Sequence, residues 1–389
     1  MNKDILMPDY HHSILNLITS ILKNYHVETE YQSLDEIDLL LKKNYKNIVL
    51  VILDGMGENI LKHLSPNGIF SNHKIDVITS VYPSTTTAAM TTYYSGKPPI
   101  QTGWIAWTQY FKEYGRNIEV FPGTDSYTGE KLNVKNKKIL DIIGYKTIYE
   151  QIKEKNADVK TYEIMPSYCM KKANLTLTAN NVKDMCDGII TLCKNTEKKF
   201  IMAYMDNPDS IIHKNGCYSK ETENFILETE KDFQEMLQEL KETDTLFIIS
   251  ADHGHQDIHE TIDILELEDI QECLIMPLTF EARMVGFFVK HAKRKEFEER
   301  FCKIFKDKYI LYSKEEFLKS NLLGYGDQHR KIDDFIGDYV AVGIADTQIK
   351  IGNYLSKEMK PSIEKKSTHC GLTRNEMEVP LIVFDLKKK

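Results

Sequence analysis

Aspartate and histidine side chains recur beside apolar stretches of this sequence, at spacings suited to binding metal ions. Asp209 and His213 are four residues apart, and His253 directly follows Asp252. Carboxylate and imidazole groups are the ligands of zinc, and of manganese where oxygen ligands dominate. The six candidate ligands of this kind are Asp54, Asp209, His213, Asp252, His253 and His369.

The elements that must position these residues are apolar, β-branched stretches, which predict strands buried on both faces. In open α/β sheets, ligands gather at the carboxyl ends of the strands. We therefore expect the six candidates to meet at one edge of a sheet, together with a hydroxyl group. Seven groups are too many for one tetrahedral ion but suit two. Two ions about 4 Å apart form a clamp for in-line displacement at phosphorus.

A run of four hydroxyl side chains follows one predicted strand, in the segment VYPSTTTAAM. Coordination to a dication lowers the pKa of an alcohol and supplies an alkoxide without a neighbouring histidine base. A structural alternative stays open, because such a run also caps helix N-termini. Asp54 could likewise cap a helix, and Asp209 with His213 could share one helical face without a metal. The hydroxyl candidates are Ser84, Thr85, Thr86 and Thr87.

Strand and helix patterns alternate along most of the chain, which predicts an α/β fold with a doubly wound, mostly parallel central sheet and helices on both faces. The predicted strands lie at 47–54, 74–83, 158–164, 199–206, 244–250 and 379–386. The predicted helical regions lie at 11–43, 145–155, 181–195 and 219–242.

The pattern changes between residue 254 and about residue 365. ARMVGFFVK and GDYVAVGIAD predict strands, and KRKEFEERFCKIF between them predicts an amphipathic helix. We interpret this region as an α+β insertion that forms a cap. The predicted domains are a metal-hydrolase core at 1–257 and 366–389 and a cap at 258–365.

Composition excludes several classes of protein. The net charge of −8 argues against a nucleic-acid-binding surface, which needs a basic face. No apolar run approaches the roughly 18 residues that span a bilayer, and we expect no membrane partner. The amino terminus lacks the pattern of a signal peptide. Seven scattered cysteines, without a CxxC pair, favour reduced thiols and a cytoplasmic location.

The sequence resembles the alkaline phosphatase superfamily, in particular its type I phosphodiesterase/nucleotide pyrophosphatase branch. The resemblance rests on VLVILDGMG, YPSTTTAAMTTYYSGKPPIQTGW, DNPDSIIHKNG, SADHGH and HCGLTRNEMEVPLIVF, which together cover most of the predicted core. In that branch the nucleophilic threonine lies three residues after a proline and ten before a glycine. Pro83 and Gly96 both select Thr86 by this spacing.

The resemblance implies two divalent metal ions, zinc or manganese, and a covalent phosphothreonine intermediate on Thr86. One ion would be held by Asp209, His213 and His369, and the other by Asp54, Asp252 and His253 with Thr86. The resemblance also implies a small-molecule phosphate ester or nucleotide as the substrate.

Three further residues are candidates for substrate contact. Family members carry a phosphate-contacting asparagine 21 residues after the nucleophile, where this chain has Trp107. His329 and Arg330 lie in a segment, GDQHRKIDDFIGDYVAVG, that resembles one in uncharacterised bacterial relatives. Arginine is suited to bidentate phosphate contact. We expect His255 and His259 to have supporting or surface roles, because the ligand set is complete without them.

The leading hypothesis is a phosphodiesterase or nucleotide pyrophosphatase. A phosphomonoesterase or a phosphonate hydrolase on the same scaffold is the alternative, because the pocket for the second ester substituent depends on the cap. A non-catalytic metal-binding regulatory protein is the alternative from a different class.

Overall fold

A computed structural model describes residues 4–132, 139–169, 171–350 and 365–387. The first nine strands are β1 (Asn47–Leu53), β2 (Lys74–Thr79), β3 (Thr108–Phe111), β4 (Arg116–Glu119), β5 (Thr124–Asp125), β6 (Lys160–Met165), β7 (Leu175–Thr178), β8 (Lys199–Met205) and β9 (Thr245–Ser250). The remaining strands are β10 (Gln256–Asp257), β11 (Glu260–Asp263), β12 (Thr279–Glu281), β13 (Met284–Phe287), β14 (Tyr309–Ser313), β15 (Tyr339–Gly343), β16 (Thr347–Lys350), β17 (Ser367–Thr368) and β18 (Glu378–Leu386).

The helices of the first half of the chain are α1 (Ile14–Asn24), α2 (Asp35–Leu41), α3 (Glu58–Leu64), α4 (Ile69–Asn72), α5 (Thr86–Ser95), α6 (Pro99–Thr102), α7 (Ile139–Ile142), α8 (Ile148–Lys155) and α9 (Val182–Lys194). Those of the second half are α10 (Asp209–Asn215), α11 (Lys220–Leu240), α12 (Glu268–Gln271), α13 (Arg294–Phe305), α14 (Lys314–Lys319), α15 (Ile332–Phe335) and α16 (Arg374–Met377). Two short 3-10 helices lie at Ile264–Glu266 and His291–Lys293. No helix in these ranges is long and apolar enough to cross a membrane.

The central sheet has seven strands in the order β2-β18-β9-β1-β8-β6-β7. Strand β1 pairs in parallel with both β8 and β9, and each of these three strands is buried along its whole length. Complete burial explains their continuous apolar sequences, because both faces are covered. The prediction of a mostly parallel α/β sheet flanked by helices is confirmed.

The last strand, β18, runs antiparallel to its neighbours β2 and β9. Its amino-terminal end therefore lies at the same edge of the sheet as the carboxyl ends of the parallel strands. This reversal allows a residue that precedes β18 in sequence to join residues that follow β1, β8 and β9.

Smaller sheets lie outside the central one. Strands β12-β13-β15-β14 form a four-stranded antiparallel sheet, and β3-β4-β5 form a three-stranded one. Strands β13 and β15 and helix α13 correspond to the strands and helix predicted for the insertion. The three-stranded sheet of residues 108–125 is a feature that the sequence pattern did not indicate.

Two apolar clusters lie beside the central core. One is built from residues of the 279–343 sheet and α13, and includes Phe287, Phe297 and Phe301. The other joins the 100–143 segment, through side chains such as Trp104, to the opposite side of the same sheet. The division into a core at 1–257 and 366–389 and a cap at 258–365 stays a prediction.

A fully buried ion pair ties the four-stranded sheet to the chain just before β18. Arg283 donates from Nε and Nη2 to the two carboxylate oxygens of Glu376, at 2.6 and 2.7 Å. The same carboxylate accepts hydrogen bonds from the backbone of Gly371 and from Thr373. The second Arg283 Nη donates to the carbonyls of Ala345 and Thr347. Four of the five N–H groups of the guanidinium and both carboxylate oxygens thus have hydrogen-bond partners.

We expect Glu376→Gln to lower the free energy of unfolding by about 3 kcal/mol or more, because it leaves the Arg283 charge buried without its partner. Urea unfolding measures this change. The control is Glu378→Gln, two residues away, whose partner Arg374 is half exposed. An exposed pair contributes about 0–1 kcal/mol, so equal losses for the two variants would contradict the role given to the buried pair.

Candidate metal centre

Four neighbouring strands of the central sheet bring the candidate ligands together. Asp54 directly follows β1, and Asp209 begins α10 shortly after β8. Asp252 and His253 lie just beyond β9, and His369 lies in the segment that leads into β18. These strands are adjacent in the order β18-β9-β1-β8, so all of these side chains lie at one edge.

Asp54, Asp252 and His253 form one cluster of possible metal ligands. His253 Nε2 lies 3.5 Å from Asp54 Oδ1 and 3.4 Å from Asp252 Oδ2. These two carboxylate oxygens are buried and have no hydrogen-bond partner among the residues that the structure describes. Buried polar atoms are normally satisfied. A divalent cation bound between the three side chains would satisfy both oxygens, so the donor set fits a metal ion.

Asp209 is the centre of a second group of donors. Its Oδ1 lies 3.4 Å from His213 Nε2, 3.7 Å from His369 Nε2 and 2.8 Å from His255 Nε2. His213 and His255 form one possible ligand set with Asp209, and His253 and His369 form another. The His253 and His369 rings stack with centroids 3.8 Å apart, so the two clusters adjoin. The structure is therefore consistent with a two-metal site.

The backbone fixes the orientation of three imidazoles. The Nδ1 atoms of His213, His253 and His369 lie 2.7, 3.1 and 3.1 Å from the carbonyl oxygens of Ser367, Gly254 and Ser84. A carbonyl only accepts, so each Nδ1 carries the proton and each Nε2 offers its lone pair to the clusters. Metal-bound histidines commonly use this kind of anchoring.

Burial sets the protonation of these groups. Desolvation lowers the pKa of His213 to about 3 and holds the pKa of His369 well below its usual range. Both imidazoles are neutral near pH 7, which is the form that binds metals. Burial, and then the charges of Asp252 and Asp209, raise the pKa of Asp54 well above its usual range. Mutual repulsion among carboxylates at one site is relieved by a bound cation.

Gly55 allows the two clusters to approach each other. It has a φ of +73°, in the left-handed region that favours glycine. A Cβ at this position would lie 2.8 Å from His255 Nε2 and 3.0 Å from the Asp209 Cα. Gly55, the first glycine of the LDGMG segment, is therefore required both by the backbone conformation of the turn and by the close approach of His255 and Asp209.

Thr86 is the first residue of α5, and its hydroxyl faces the first cluster. Its Oγ1 lies 3.4 Å from Asp54 Oδ2 and 3.2 Å from His253 Nε2. The other hydroxyls of the run point elsewhere. Ser84 donates to the carbonyl of Gly371, Thr85 donates to Glu281, and Thr87 is fully buried. The geometry favours Thr86 as the nucleophile, and its role stays a prediction.

A cavity of about 520 Å³ opens above Thr86. Its walls include the aromatic rings of Trp107, Phe121 and Tyr168. Trp107 and Phe121 meet edge to face with centroids 5.7 Å apart. The Trp107 backbone donates to Glu281, and its ring is 37% exposed. The structure thus brings Trp107, the first predicted substrate contact, to the cavity.

The structure does not bring His329 and Arg330 to this cavity. The His329 ring lies against Gly103, where a Cβ would be 2.8 Å from Nδ1. Arg330 Nη2 lies 3.5 Å from the carbonyl of Ile142. Both residues support the outer side of the 100–143 segment. Neither is among the described residues that line the cavity, so direct substrate contact by this pair has no support in the geometry.

The structure places His255, which the sequence analysis did not count as a metal ligand, beside the candidate ligand Asp209. His255 is fully buried and contacts Asp209, whereas His259 is an exposed partner of Asp346. The sequence signal was its spacing in SADHGH: a second histidine two residues after His253. Tyr204, whose hydroxyl donates to Asp54, was not singled out either.

Comparison with known proteins agrees with this geometry. The sequence profile of the family described as type I phosphodiesterase/nucleotide pyrophosphatase matches residues 48–369. No curated protein matches this sequence significantly.

The fold resembles several solved structures. Murine ectonucleotide pyrophosphatase/phosphodiesterase 5, an inactive variant in complex with AMP, is similar with a TM-score of 0.63 at 16% identity, over 86% of this chain and 87% of that one. The human protein of the same name gives 0.63 at 16% identity, over 88% and 90%. Phosphonoacetate hydrolase from Sinorhizobium meliloti 1021, in complex with phosphonoformate, gives 0.63 at 16% identity, over 86% and 89%.

We predict that the unchanged protein will bind two metal ions and that Asp209→Ala will retain one, because Asp209 is common to the donor sets of the second group. Elemental analysis after equilibration with zinc and gel filtration measures the content. Asp206→Ala, three residues earlier and in no ligand cluster, serves as the control and should keep both ions. A full metal content in Asp209→Ala would rule out this site.

We predict that His255→Ala will lower metal affinity about 10–100-fold, since the imidazole either holds Asp209 in place or binds the ion itself. Titration with zinc in the presence of a competing chelator measures the affinity. His259→Ala changes the exposed histidine of the same segment and should leave the affinity unchanged. If both variants bind zinc with the same affinity, His255 contributes only to packing.

Proposed function

The chain belongs to the type I phosphodiesterase/nucleotide pyrophosphatase family, and from this membership we propose that it is a two-metal hydrolase of phosphoric esters with Thr86 as its nucleophile. The observation that carries the proposal is the position of Thr86 Oγ1. It lies between Asp54 and His253, at the start of α5 and at the floor of the cavity. A helix amino terminus favours a bound phosphate.

The reaction proceeds in two displacements. Thr86 Oγ1 forms a bond to phosphorus while the bond from phosphorus to the leaving oxygen breaks, which gives a phosphothreonine. Divalent ions, when bound, lower the pKa of the hydroxyl and offset the charge on the phosphoryl oxygens. The Thr86 proton has an acceptor at Asp54 Oδ2, because the lone pair of His253 Nε2 would be used by the metal ion. Water on the side of Asp209 and His213 then hydrolyses the phosphothreonine.

The cavity supports a diester or nucleotide substrate over a simple monoester. Its volume of about 520 Å³ is within the range of small-molecule sites and far exceeds the space of a phosphate group. Trp107, Phe121 and Tyr168 offer ring surfaces for an organic substituent. A monoester with a small organic group would leave much of this apolar wall in contact with water.

We propose zinc as the metal, with manganese as the alternative, because imidazole nitrogens are prominent among the donors. The proposed substrates are small molecules. Seven free cysteines support the proposal of a reducing, cytoplasmic location.

We predict that Thr86→Ala will reduce turnover of a 4-nitrophenyl phosphodiester by about 10³-fold or more, because the covalent route is lost. Thr86→Ser should retain part of the activity, since the hydroxyl remains. Mass spectrometry of protein trapped with this substrate should locate on Thr86 the phosphoryl group with its remaining ester substituent.

The matched control is Thr87→Val, which keeps the side-chain shape at a position whose hydroxyl has no hydrogen-bond partner in the described ranges. This variant should remain active. Phosphorylation at Thr85 or Ser84, or full activity of Thr86→Ala, would contradict the assignment.

A substrate screen distinguishes the diesterase proposal from its alternatives. Diesters, the corresponding monoesters, nucleotides and phosphonates are assayed with zinc and manganese supplied separately. Phosphonates are included because a phosphonoacetate hydrolase shares the fold. A preference for monoesters would contradict the diesterase proposal and favour a phosphomonoesterase. Bound metal without turnover of any substrate would favour a non-catalytic metal-binding protein.

A further inference from the structure

The cavity above Thr86 extends along one face of α5. Thr86, Met90 and Tyr94 all line it, and their spacing of four residues places them one above another on the helix. Eight residues of helix correspond to roughly 12 Å at 1.5 Å per residue. The cavity therefore reaches about two helical turns from the nucleophile, which is longer than a phosphate group.

Lys172 lies at the far end of this path. Its Nζ is 6.0 Å from the ring centroid of Tyr94, 5.6 Å from that of Trp104 and 5.2 Å from that of Tyr145. Three rings on one side hold the ammonium group through its attraction to their faces. The same lysine lines the cavity together with Thr86.

Negatively and positively charged side chains lie at opposite ends of the cavity. The carboxylates of Asp54, Asp206 and Asp209 lie at its strand-end floor. Of the described residues that line it, Lys172 is the one with a basic side chain. A ligand whose phosphorus lies at the floor thus has aromatic walls beside its middle and a cation at its other end.

From this arrangement we infer that the site takes phosphorus substrates whose organic group ends in a second anion, a carboxylate or a phosphate, and that Lys172 binds that anion. The inference rests on the proposed function, because it places the phosphorus of the substrate at Thr86. It adds a substrate class and a specificity residue. Burial lowers the pKa of Lys172 to about 8, and an anion bound beside it would stabilise the charged form.

The backbone that carries Lys172 is held in place. Glu163 Oε2 accepts hydrogen bonds from the backbone nitrogens of Lys172 and Ala173, at 2.9 and 3.2 Å. The charge of Glu163 also acts on the Lys172 ammonium. The competing interpretation is that Lys172 serves only as a structural counter-charge for buried Glu163. Loss of a purely structural role would change kcat/KM equally for all substrates, whereas loss of anion binding would change it only for substrates that carry the second anion.

The test uses pairs of 4-nitrophenyl alkyl phosphodiesters whose alkyl chain ends in a carboxylate or in the matching carboxamide, in several chain lengths. The measured quantity is the ratio of kcat/KM for the carboxylate to that for the carboxamide. We expect the ratio to fall about tenfold in Lys172→Met, through KM, and to be retained in Lys172→Arg. Lys171→Met, at the exposed neighbouring lysine, is the control and should keep the ratio.

A second measurement does not depend on turnover. Lys172 is acylated with acetic anhydride, and mass spectrometry measures its protection by a carboxylate-terminated alkylphosphonate and by the carboxamide analogue. Protection by the carboxylate alone supports the inference even if no ester is hydrolysed, a result that would refute the proposed function separately. Turnover with equal protection by both analogues, or an unchanged kcat/KM ratio in Lys172→Met, overturns the inference.

Discussion

The bidentate ion pair between Arg283 and Glu376 is the interaction on which the remaining geometry depends. Glu376 holds the segment that leads from His369 into β18, through the backbone of Gly371 and through Thr373. Arg283 joins that segment to the four-stranded sheet. Removing two charges from water costs several kcal/mol per ion, so the pair gains stability only because nearly every donor and acceptor is used. One buried carboxylate thus couples the position of a candidate ligand, His369, to that of the four-stranded sheet.

In the candidate metal centre, by contrast, the buried carboxylates are not fully compensated by the side chains around them. Within the described part of the chain, Asp54 and Asp252 each have a buried oxygen without a hydrogen-bond partner, and the carboxylates repel one another across the site. Such an arrangement is unfavourable in the protein alone and becomes favourable when a cation binds, so part of the binding energy offsets this strain. The protein prepares the site through neutral imidazoles anchored on backbone carbonyls and through Gly55, whose missing side chain allows the clusters to adjoin. The hydrogen-bonded carboxylate of Glu376 therefore holds the segment of His369 in place, whereas the repulsion at Asp54 favours the binding of a cation.

Much of this arrangement could be predicted from sequence because it follows from periodicity. Continuous apolar strands indicated the buried sheet, and residues such as Asp54 and Asp252 directly follow those strands. His369 was harder, since nothing in its local sequence shows that β18 is antiparallel; only this reversal brings it to the edge. His255 was set aside because a ligand count cannot show a 2.8 Å contact with Asp209. His329 was a candidate because its segment resembles one in uncharacterised bacterial relatives, whereas its ring packs against Gly103. The 108–125 sheet consists of short strands that carry no strong period.

The chemistry and the selectivity of this site come from different parts of the chain. Asp54, Asp209 and Asp252 lie at strand ends of the central sheet, and in the proposed reaction they act only at the phosphorus. Part of the cavity wall comes from loops: Trp107 precedes and Phe121 follows the hairpin of β3 and β4, and Lys172 lies in the loop after β6. A loop can change its side chains without disturbing the central sheet, because it contributes few of the buried contacts that stabilise the fold. Trp107 shows how such a change is accommodated. Its backbone nitrogen is held by Glu281, while its ring is left to contact a ligand. Substrate preference on this fold can therefore diverge while the ligands of the metal centre remain fixed.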